Sequence, residues 1–126
     1  MTLVLRSLVG IIGGLAVMIA ARLWIDPTTT GGTMGLIGVG TLGQATLRAD
    51  VGGFFGAAGA FALVAALRND GRLLTPPLVM IALALGGRLV AAAVNGVDAR
   101  ATPSIVIEAV LLAALAAGWL KLPRGA

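Results

Sequence analysis

Two charged side chains lie deep inside apolar runs of this sequence. Arg88 lies within LVMIALALGGRLVAAAVNG, and Glu108 lies within PSIVIEAVLLAALAAGWL. A charge in the hydrocarbon of a bilayer costs about 2.5–3.5 kcal/mol on insertion scales, so it is usually paired and turned toward the protein interior. A guanidinium and a carboxylate can neutralise each other or hold the polar group of a ligand. The two residues therefore predict a polar site inside a membrane domain, but they name no reaction.

The residue types argue against an enzyme. The chain has no Cys and no His, which excludes thiolate nucleophiles, imidazole bases and nearly all transition-metal sites. Ser7 and Ser104 have no base beside them in sequence. Asp50 and Glu108 are candidates for acid–base work, but two arginines at similar depth would keep both ionised. We expect no catalytic residue, no metal and no cofactor.

The composition predicts that these charges are held by membrane-spanning helices. Of the 126 residues, 59% are hydrophobic and only 11% are charged, whereas a soluble domain is about 25% charged. The length allows about four spans of ~20 residues. We predict one all-α domain over residues 1–126, an integral membrane four-helix bundle with spans at residues 3–25, 49–67, 76–94 and 103–120. Prolines at 76, 77 and 103 suit the first turns of the last two helices.

Two segments have alternative interpretations. Small residues at Ala20 and Ala21 make a cleaved signal peptide the alternative for the first span. Residues 26–47 are rich in Gly and Thr yet half apolar, which is typical of an interfacial or re-entrant connection or of a helical extension into the second span. Residues 38–43 match G-x-G-x-x-G, but residues 60–66 contain no acid for a ribose, so no dinucleotide site is expected.

The basic residues indicate orientation rather than a nucleic-acid surface. The net charge is +4, but the basic residues are scattered singly near the ends of apolar runs, whereas nucleic-acid binding needs a clustered basic face. With the N-terminus inside, five basic residues lie on the inner side (Arg6, Arg68, Arg72, Lys121, Arg124) and three on the outer side (Arg22, Arg48, Arg100). This bias predicts that both termini are cytoplasmic.

The predicted topology places the charges at one end of the bundle. At 1.5 Å per residue, Arg88 lies ~12 Å and Glu108 ~8 Å from the outer face, so we expect them to meet. Arg48 and Asp50 are expected to cap them, with Asn95 adding hydrogen bonds. Three interpretations stay open: paired charges that fix helix register, a polar pocket for a ligand headgroup or a proton, and Arg88 extending to the interface alone.

Small residues recur at helix-packing spacing. Gly52, Gly56 and Ala60 form one stripe, and Ala109, Ala113 and Ala117 form another. Such stripes let membrane helices approach closely, within one bundle or between copies of the chain. The glycines expected to support packing near the charges are Gly52, Gly53, Gly56, Gly86 and Gly87.

One family resemblance follows from these positions. The run Arg48-Ala-Asp-Val-Gly-Gly-Phe-Phe-Gly, then Gly87-Arg88, Asn95-Gly96 and Glu108, resembles the domain-of-unknown-function 4345 family of small bacterial four-helix membrane proteins. The resemblance covers about residues 26–120 and implies four transmembrane helices in a bacterial inner membrane, without an activity. A more distant resemblance, in layout only, is to DoxX-like membrane proteins, which would make a redox-chain accessory role conceivable.

Two functions from different classes remain. The first is a non-enzymatic accessory or scaffold that associates with itself or with a larger membrane complex through its Gly/Ala-rich faces. The second is a binder or carrier of a lipid-like or small amphipathic ligand that uses the cluster of Arg48, Asp50, Arg88 and Glu108. Both predict a multi-pass protein of the bacterial inner membrane whose partners are lipids or membrane proteins, not nucleic acid.

Overall fold

The computed structural model describes residues 2–125, and this part of the chain is helical throughout, with turns and short loops but no strand. Six α-helices follow one another: α1 (Thr2–Ile25), α2 (Pro27–Thr33), α3 (Gly40–Thr46), α4 (Gly52–Arg68), α5 (Thr75–Asn95) and α6 (Thr102–Lys121). A π-helical turn, Leu47–Val51, makes α3 and α4 continuous, and a 3₁₀ turn, Gly71–Leu74, leads into α5.

Four helical segments are long and apolar enough to cross a membrane: Thr2–Ile25, Gly40–Arg68, Gly71–Asn95 and Thr102–Lys121. The all-α prediction with four spans is confirmed, and the chain is a multi-pass membrane protein. The long helices pack in a closed order, in which α1 contacts α4, α4 contacts α5, α5 contacts α6 and α6 contacts α1.

The most extensive interface joins α1 and α4, and glycine makes it possible. A Cβ on Gly13 would lie 2.7 Å from the amide nitrogen of Leu63 and 2.9 Å from the carbonyl oxygen of Gly59. Because the two backbones touch there, only a residue without a side chain fits. At the beginning of α4, Gly52 lies against the indole of Trp24. A Cβ on Gly52 would lie 2.9 Å from Trp24 Nε1.

The core is concentrated at one end of the bundle, which we call the closed end. Side chains from α1, α4 and α6, from the 3₁₀ turn and from the segment after α6 are buried there: Val9, Ala62, Ala65, Ala66, Leu74, Leu115 and Leu122. Gly71 lets the α4–α5 turn approach the end of α6, since a Cβ would lie 3.0 Å from the carbonyl oxygen of Gly118. Its amide donates a hydrogen bond to the Pro123 carbonyl at 2.8 Å.

At the opposite end, which carries Arg88 and Glu108 and which we call the open end, α5 and α6 are loosely held. No residue of α5 beyond Pro77 is buried, and none of α6 before Leu115. A Cβ on Gly53, Gly86 or Gly87 would meet nothing within 4 Å. The prediction that these three glycines serve packing is therefore wrong, because no neighbouring helix approaches them.

Gly56, like Gly52 and unlike Gly53, lies against a neighbouring helix. A Cβ on Gly56 would lie 3.6 Å from the Cβ of Ala20, in ordinary contact with α1. Gly52 and Gly56 are thus the members of the stripe that lie against α1.

The connection between the first two spans is more ordered than its composition indicates. Asp26 caps α2 by accepting a hydrogen bond from the amide of Thr29 at 3.1 Å. The α3 helix then extends the second span, as one of the alternatives predicted. The buried Leu47 packs under Gly31, where a Cβ would lie 3.2 Å from Cδ1 of Leu47. The G-x-G-x-x-G match at residues 38–43 covers the end of the loop before α3 and the first turn of α3. No strand precedes it in the described chain.

Candidate functional site in the four-helix cavity

The open end carries an ion pair between α5 and α6. Arg88 Nε donates a hydrogen bond to Glu108 Oε1 at 2.7 Å. The Arg88 side chain is 44% exposed and that of Glu108 is 18% exposed. The carboxylate therefore faces the inside of the bundle, while the guanidinium lies nearer to its surface. Arg88 does not extend to the interface alone.

The second oxygen of the Glu108 carboxylate has a different environment. Oε2 is buried and has no hydrogen-bond partner within the described chain. A buried polar atom without a partner costs about 1–3 kcal/mol, and more when the group is charged. Such an atom is rarely left unsatisfied in a folded protein, so Glu108 is a candidate functional residue.

Glu108 lines a cavity of about 260 Å³ between the four long helices. The other residues of its wall are apolar or glycine, with contributions from Ile12, Ala16, Phe54, Phe55, Ala84 and Leu111. The rings of Phe54 and Phe55 meet edge to face, with centroids 5.6 Å apart. Glu108 is the one charged residue in this wall, so the cavity offers apolar surface and a single acidic group.

Arg88 lines a second cavity, of about 390 Å³, beside the α5–α6 loop. Its wall is more polar and includes Asn95 and Asp98. Because Arg88 and Glu108 are bonded to each other, the ion pair separates an apolar cavity inside the bundle from a polar one at its end. Asn95 is exposed and lines this outer cavity together with Arg88. Within residues 2–125 its side chain does not form the expected hydrogen bonds to the charged residues.

The expected group of four charges is not formed. Arg48 Nε donates to the carbonyl oxygen of Trp24 at 2.9 Å, and Trp24 Nε1 donates to the carbonyl oxygen of Arg48 at 3.1 Å. Asp50 is exposed and forms no ion pair within residues 2–125. Both residues lie in the π-helical turn, and Arg48 is engaged by α1 there, on the far side of the bundle from α5.

Another polar cluster lies at the closed end and joins the turn at residues 69–72 to the C-terminal segment. Asp70 accepts a hydrogen bond from the amide of Arg72 at 3.0 Å. This hydrogen bond and one from the backbone of Gly125 hold the pKa of Asp70 below its ordinary value. Arg124 lies over the ring of Trp119 at 4.7 Å from the centroid, and Trp119 Nε1 donates to Thr75 Oγ1 at 2.9 Å. These contacts join the C-terminal segment to the turn at the closed end.

Sequence reasoning found the ion pair but missed the cavity beside it. The paired aromatic residues Phe54 and Phe55, one turn after Asp50, were the available signal. They face inward at the level where α5 and α6 separate from the other two helices.

No family model, curated protein or solved structure matches this chain. The resemblance to the domain-of-unknown-function 4345 family stays a prediction, and the support for a function comes from the geometry of the site.

Proposed function

We propose that this protein is a non-enzymatic, multi-pass protein of the bacterial inner membrane that binds a lipid-like or small amphipathic molecule between its four helices. The observation that carries the proposal is the apolar cavity with Glu108 in its wall. Cavities of this kind, mostly apolar with a few convergent polar groups, are where small molecules bind in helix bundles.

The chemistry of the wall supports an amphipathic ligand. Phe54, Phe55 and Leu111 offer surface for hydrocarbon, and Glu108 offers one place for a polar group. A purely apolar ligand would leave the one acidic residue of the wall without a polar contact, and a highly polar one would leave the aromatic wall unmatched. The closed end is filled by side chains, so a ligand would enter from the open end or between the loosely packed α5 and α6.

The scaffold alternative finds less support in the packing. Gly52 and Gly56, which were candidates for contact with another chain, lie against α1 of the same chain. Ala109 and Ala113 remain exposed on α6, but exposure to lipid is the ordinary state of a small residue in a membrane helix.

The location in the inner membrane follows from the family resemblance, and the orientation follows from the charges. Five basic residues belong to the segments that meet at the closed end and three to the opposite end. By the positive-inside rule the closed end would face the cytoplasm. The cavity extends from Pro77 and Leu115, toward the closed end, to Phe54 and Glu108. Its Glu108 end would then lie in the outer half of the bilayer, within reach of molecules in the outer leaflet.

A cavity-filling variant with a matched control tests the proposal. Ala84 lines the cavity, whereas Ala82, on the same helix, is exposed. Native mass spectrometry of protein released from nanodiscs prepared from its own membrane should show a defined adduct on the wild type and on Ala82→Leu. We expect the adduct to be lost from Ala84→Leu.

Two results would contradict the proposal. An adduct that persists unchanged in Ala84→Leu would place the bound molecule elsewhere on the protein. A discrete oligomer or a bound membrane subunit, without any small-molecule adduct, would favour the scaffold.

A further inference from the structure

The outer cavity beside the α5–α6 loop is separate from the four-helix cavity. Its volume of about 390 Å³ lies within the ~300–1,000 Å³ of typical small-molecule sites. It is lined by α5, α6 and the loop between them, and no residue of its wall belongs to the wall of the four-helix cavity. The outer cavity has one basic and one acidic residue in its wall, Arg88 and Asp98.

Arg88 has hydrogen-bond donors left after its ion pair with Glu108. An arginine side chain has five N–H donors. Nε of Arg88 donates to Glu108 Oε1 at 2.7 Å, and within residues 2–125 neither Nη group donates a hydrogen bond. The side chain is 44% exposed, so a ligand can reach it. The planar fork of a guanidinium matches the oxygens of a phosphate group.

Asp98 is the acidic residue at the outer rim of this cavity. Arg88 lies about two turns, or ~10 Å, before Asn95 at the end of α5, and Asp98 lies in the loop beyond. Asp98 is exposed, and its Oδ1 accepts a hydrogen bond from the amide of Arg100 at 2.8 Å. It forms no ion pair within residues 2–125. The outer cavity therefore has a positive group on its membrane side and a negative group at its rim.

We propose that the outer cavity binds the headgroup of a zwitterionic phospholipid, with the phosphate at Arg88 and a primary ammonium group at Asp98. A headgroup with only a negative charge would lie close to the carboxylate of Asp98, and such like-charge contacts are costly. A choline group is positive but has no N–H to donate to a carboxylate. This site is additional to the proposed function, because its wall and its polar groups differ from those of the four-helix cavity.

The rest of the wall favours a membrane lipid over a soluble zwitterion. Arg88 belongs to a helix that is long and apolar enough to span a membrane, and Ala91, Ala92 and Ile105 make the wall around it apolar. This surface suits the glycerol region and the first carbons of the acyl chains. Neither α1 nor α4 lines the cavity, so the acyl chains would continue into the bilayer beside α5 and α6.

Native mass spectrometry in detergent tests the headgroup preference with three lipids that share dioleoyl chains: phosphatidylethanolamine, phosphatidylcholine and phosphatidylglycerol. We expect the first to bind about threefold more tightly than the others, the size expected of one exposed ion pair. Asp98→Asn keeps an oxygen for the Arg100 amide but removes the charge, so it should abolish this preference. Asp50→Asn, at an exposed aspartate outside the wall, should retain it. A preference that is absent from the wild type, or retained in Asp98→Asn, would overturn the proposal.

A second pair of variants tests the place of binding. Ala92 lines the outer cavity, whereas the adjacent Ala93 is exposed and does not belong to its wall. We expect Ala92→Leu to weaken the binding of phosphatidylethanolamine about tenfold, the size expected of overpacking, and Ala93→Leu to leave it unchanged. Equal binding to the two variants would place the lipid elsewhere and overturn the site.

The contribution of Arg88 is tested in a double variant, Arg88→Leu with Glu108→Leu, which removes the guanidinium without leaving an unpaired charge. It should weaken the binding of phosphatidylethanolamine and phosphatidylcholine alike, by about tenfold, because both lose charge-assisted hydrogen bonds to the phosphate. Unchanged binding of both lipids would overturn the role of Arg88.

Glycerophosphoethanolamine has the same polar groups without acyl chains and distinguishes a lipid from a soluble ligand. We expect no binding at the concentration at which the phospholipid saturates the site, and binding of equal strength would overturn the lipid as the ligand. An adduct lost from Ala84→Leu and one lost from Ala92→Leu occupy different cavities, so failure of this proposal or of the proposed function leaves the other in place.

Discussion

The two ends of this bundle are built from the same kinds of residue, yet they are packed differently. At the closed end, Val9, Leu74 and Leu115 are completely or almost completely buried, and Gly71 brings a turn into contact with α6. At the open end, Gly86 and Gly87 have free space beside them, and a cavity remains between the helices. The chain thus joins a closely packed end to an end with room for another molecule.

The comparison shows that a glycine in a membrane helix has no fixed role. Gly13 and Gly59 allow two backbones to touch, whereas a Cβ on Gly53 would meet nothing within 4 Å. Packing in lipid depends on close contact between helices, since no hydrophobic drive acts between them. Where α1 and α4 are in contact the bundle is held together, and where α5 and α6 diverge from that pair it stays open.

The largest effect is expected from breaking the α1–α4 contact. Gly13→Ala introduces a Cβ into the backbone of α4, whereas the same change at the adjacent Gly14 meets nothing within 4 Å. We expect Gly13→Ala to lower the free energy of unfolding by about 3 kcal/mol, the upper range for overpacking, and Gly14→Ala to leave it nearly unchanged. Unfolding by SDS in mixed micelles measures both. Equal stability of the two variants would contradict the close contact.

The next largest effect is expected at the ion pair. Arg88→Leu leaves Glu108 without its partner, and Glu108→Leu leaves Arg88 alone, so each should cost about 2 kcal/mol in a membrane environment. The double change to Leu should recover most of that loss, because no charge is then left unpaired. The same SDS unfolding assay applies. A double variant that is less stable than either single variant would mean that the pair contributes more to stability than its exposure suggests.

A smaller difference is expected between the two tryptophans. Trp119 donates a hydrogen bond to Thr75 and packs beside the core of the closed end, so Trp119→Phe should cost about 1 kcal/mol for the lost hydrogen bond. Trp24 donates to the carbonyl of Arg48 but is 64% exposed, so Trp24→Phe should cost less. Thermal unfolding in detergent compares them, with Thr75→Val as a check that the loss at Trp119 comes from this hydrogen bond.

The smallest effect is expected from pH. Because hydrogen bonds lower the pKa of Asp70 in the folded protein below its ordinary value of 3.8, the ionised carboxylate stabilises the closed end above that pH. The contribution is lost as the pH falls through the lowered pKa. Asp70→Asn should therefore be less stable than the wild type at neutral pH, and the difference should disappear in acid. Melting temperatures of both proteins, measured from pH 6 to pH 2, provide the test, and a difference independent of pH would contradict it.

Much of the fold could be predicted from the sequence. The apolar runs, the prolines at residues 76, 77 and 103 and the low charge content place four helices within a few residues of their bounds, because hydrocarbon requires every backbone group to be bonded within a helix. The depths of Arg88 and Glu108 along their helices predicted that they would meet. Arg48 could not be assigned in the same way, because its partner, the Trp24 carbonyl, depends on the π-helical turn and on how α1 and α4 cross.

The sequence by itself determined that this is a four-span helical membrane protein with Arg88 and Glu108 deep inside its last two spans, because the cost of burying charge in lipid is a property of residue type and length. Only the tertiary structure decided which glycines pack, that a cavity lies beside the ion pair and that one carboxylate oxygen remains without a partner. These features depend on the distances between helices, which arise from contacts between residues far apart in the chain.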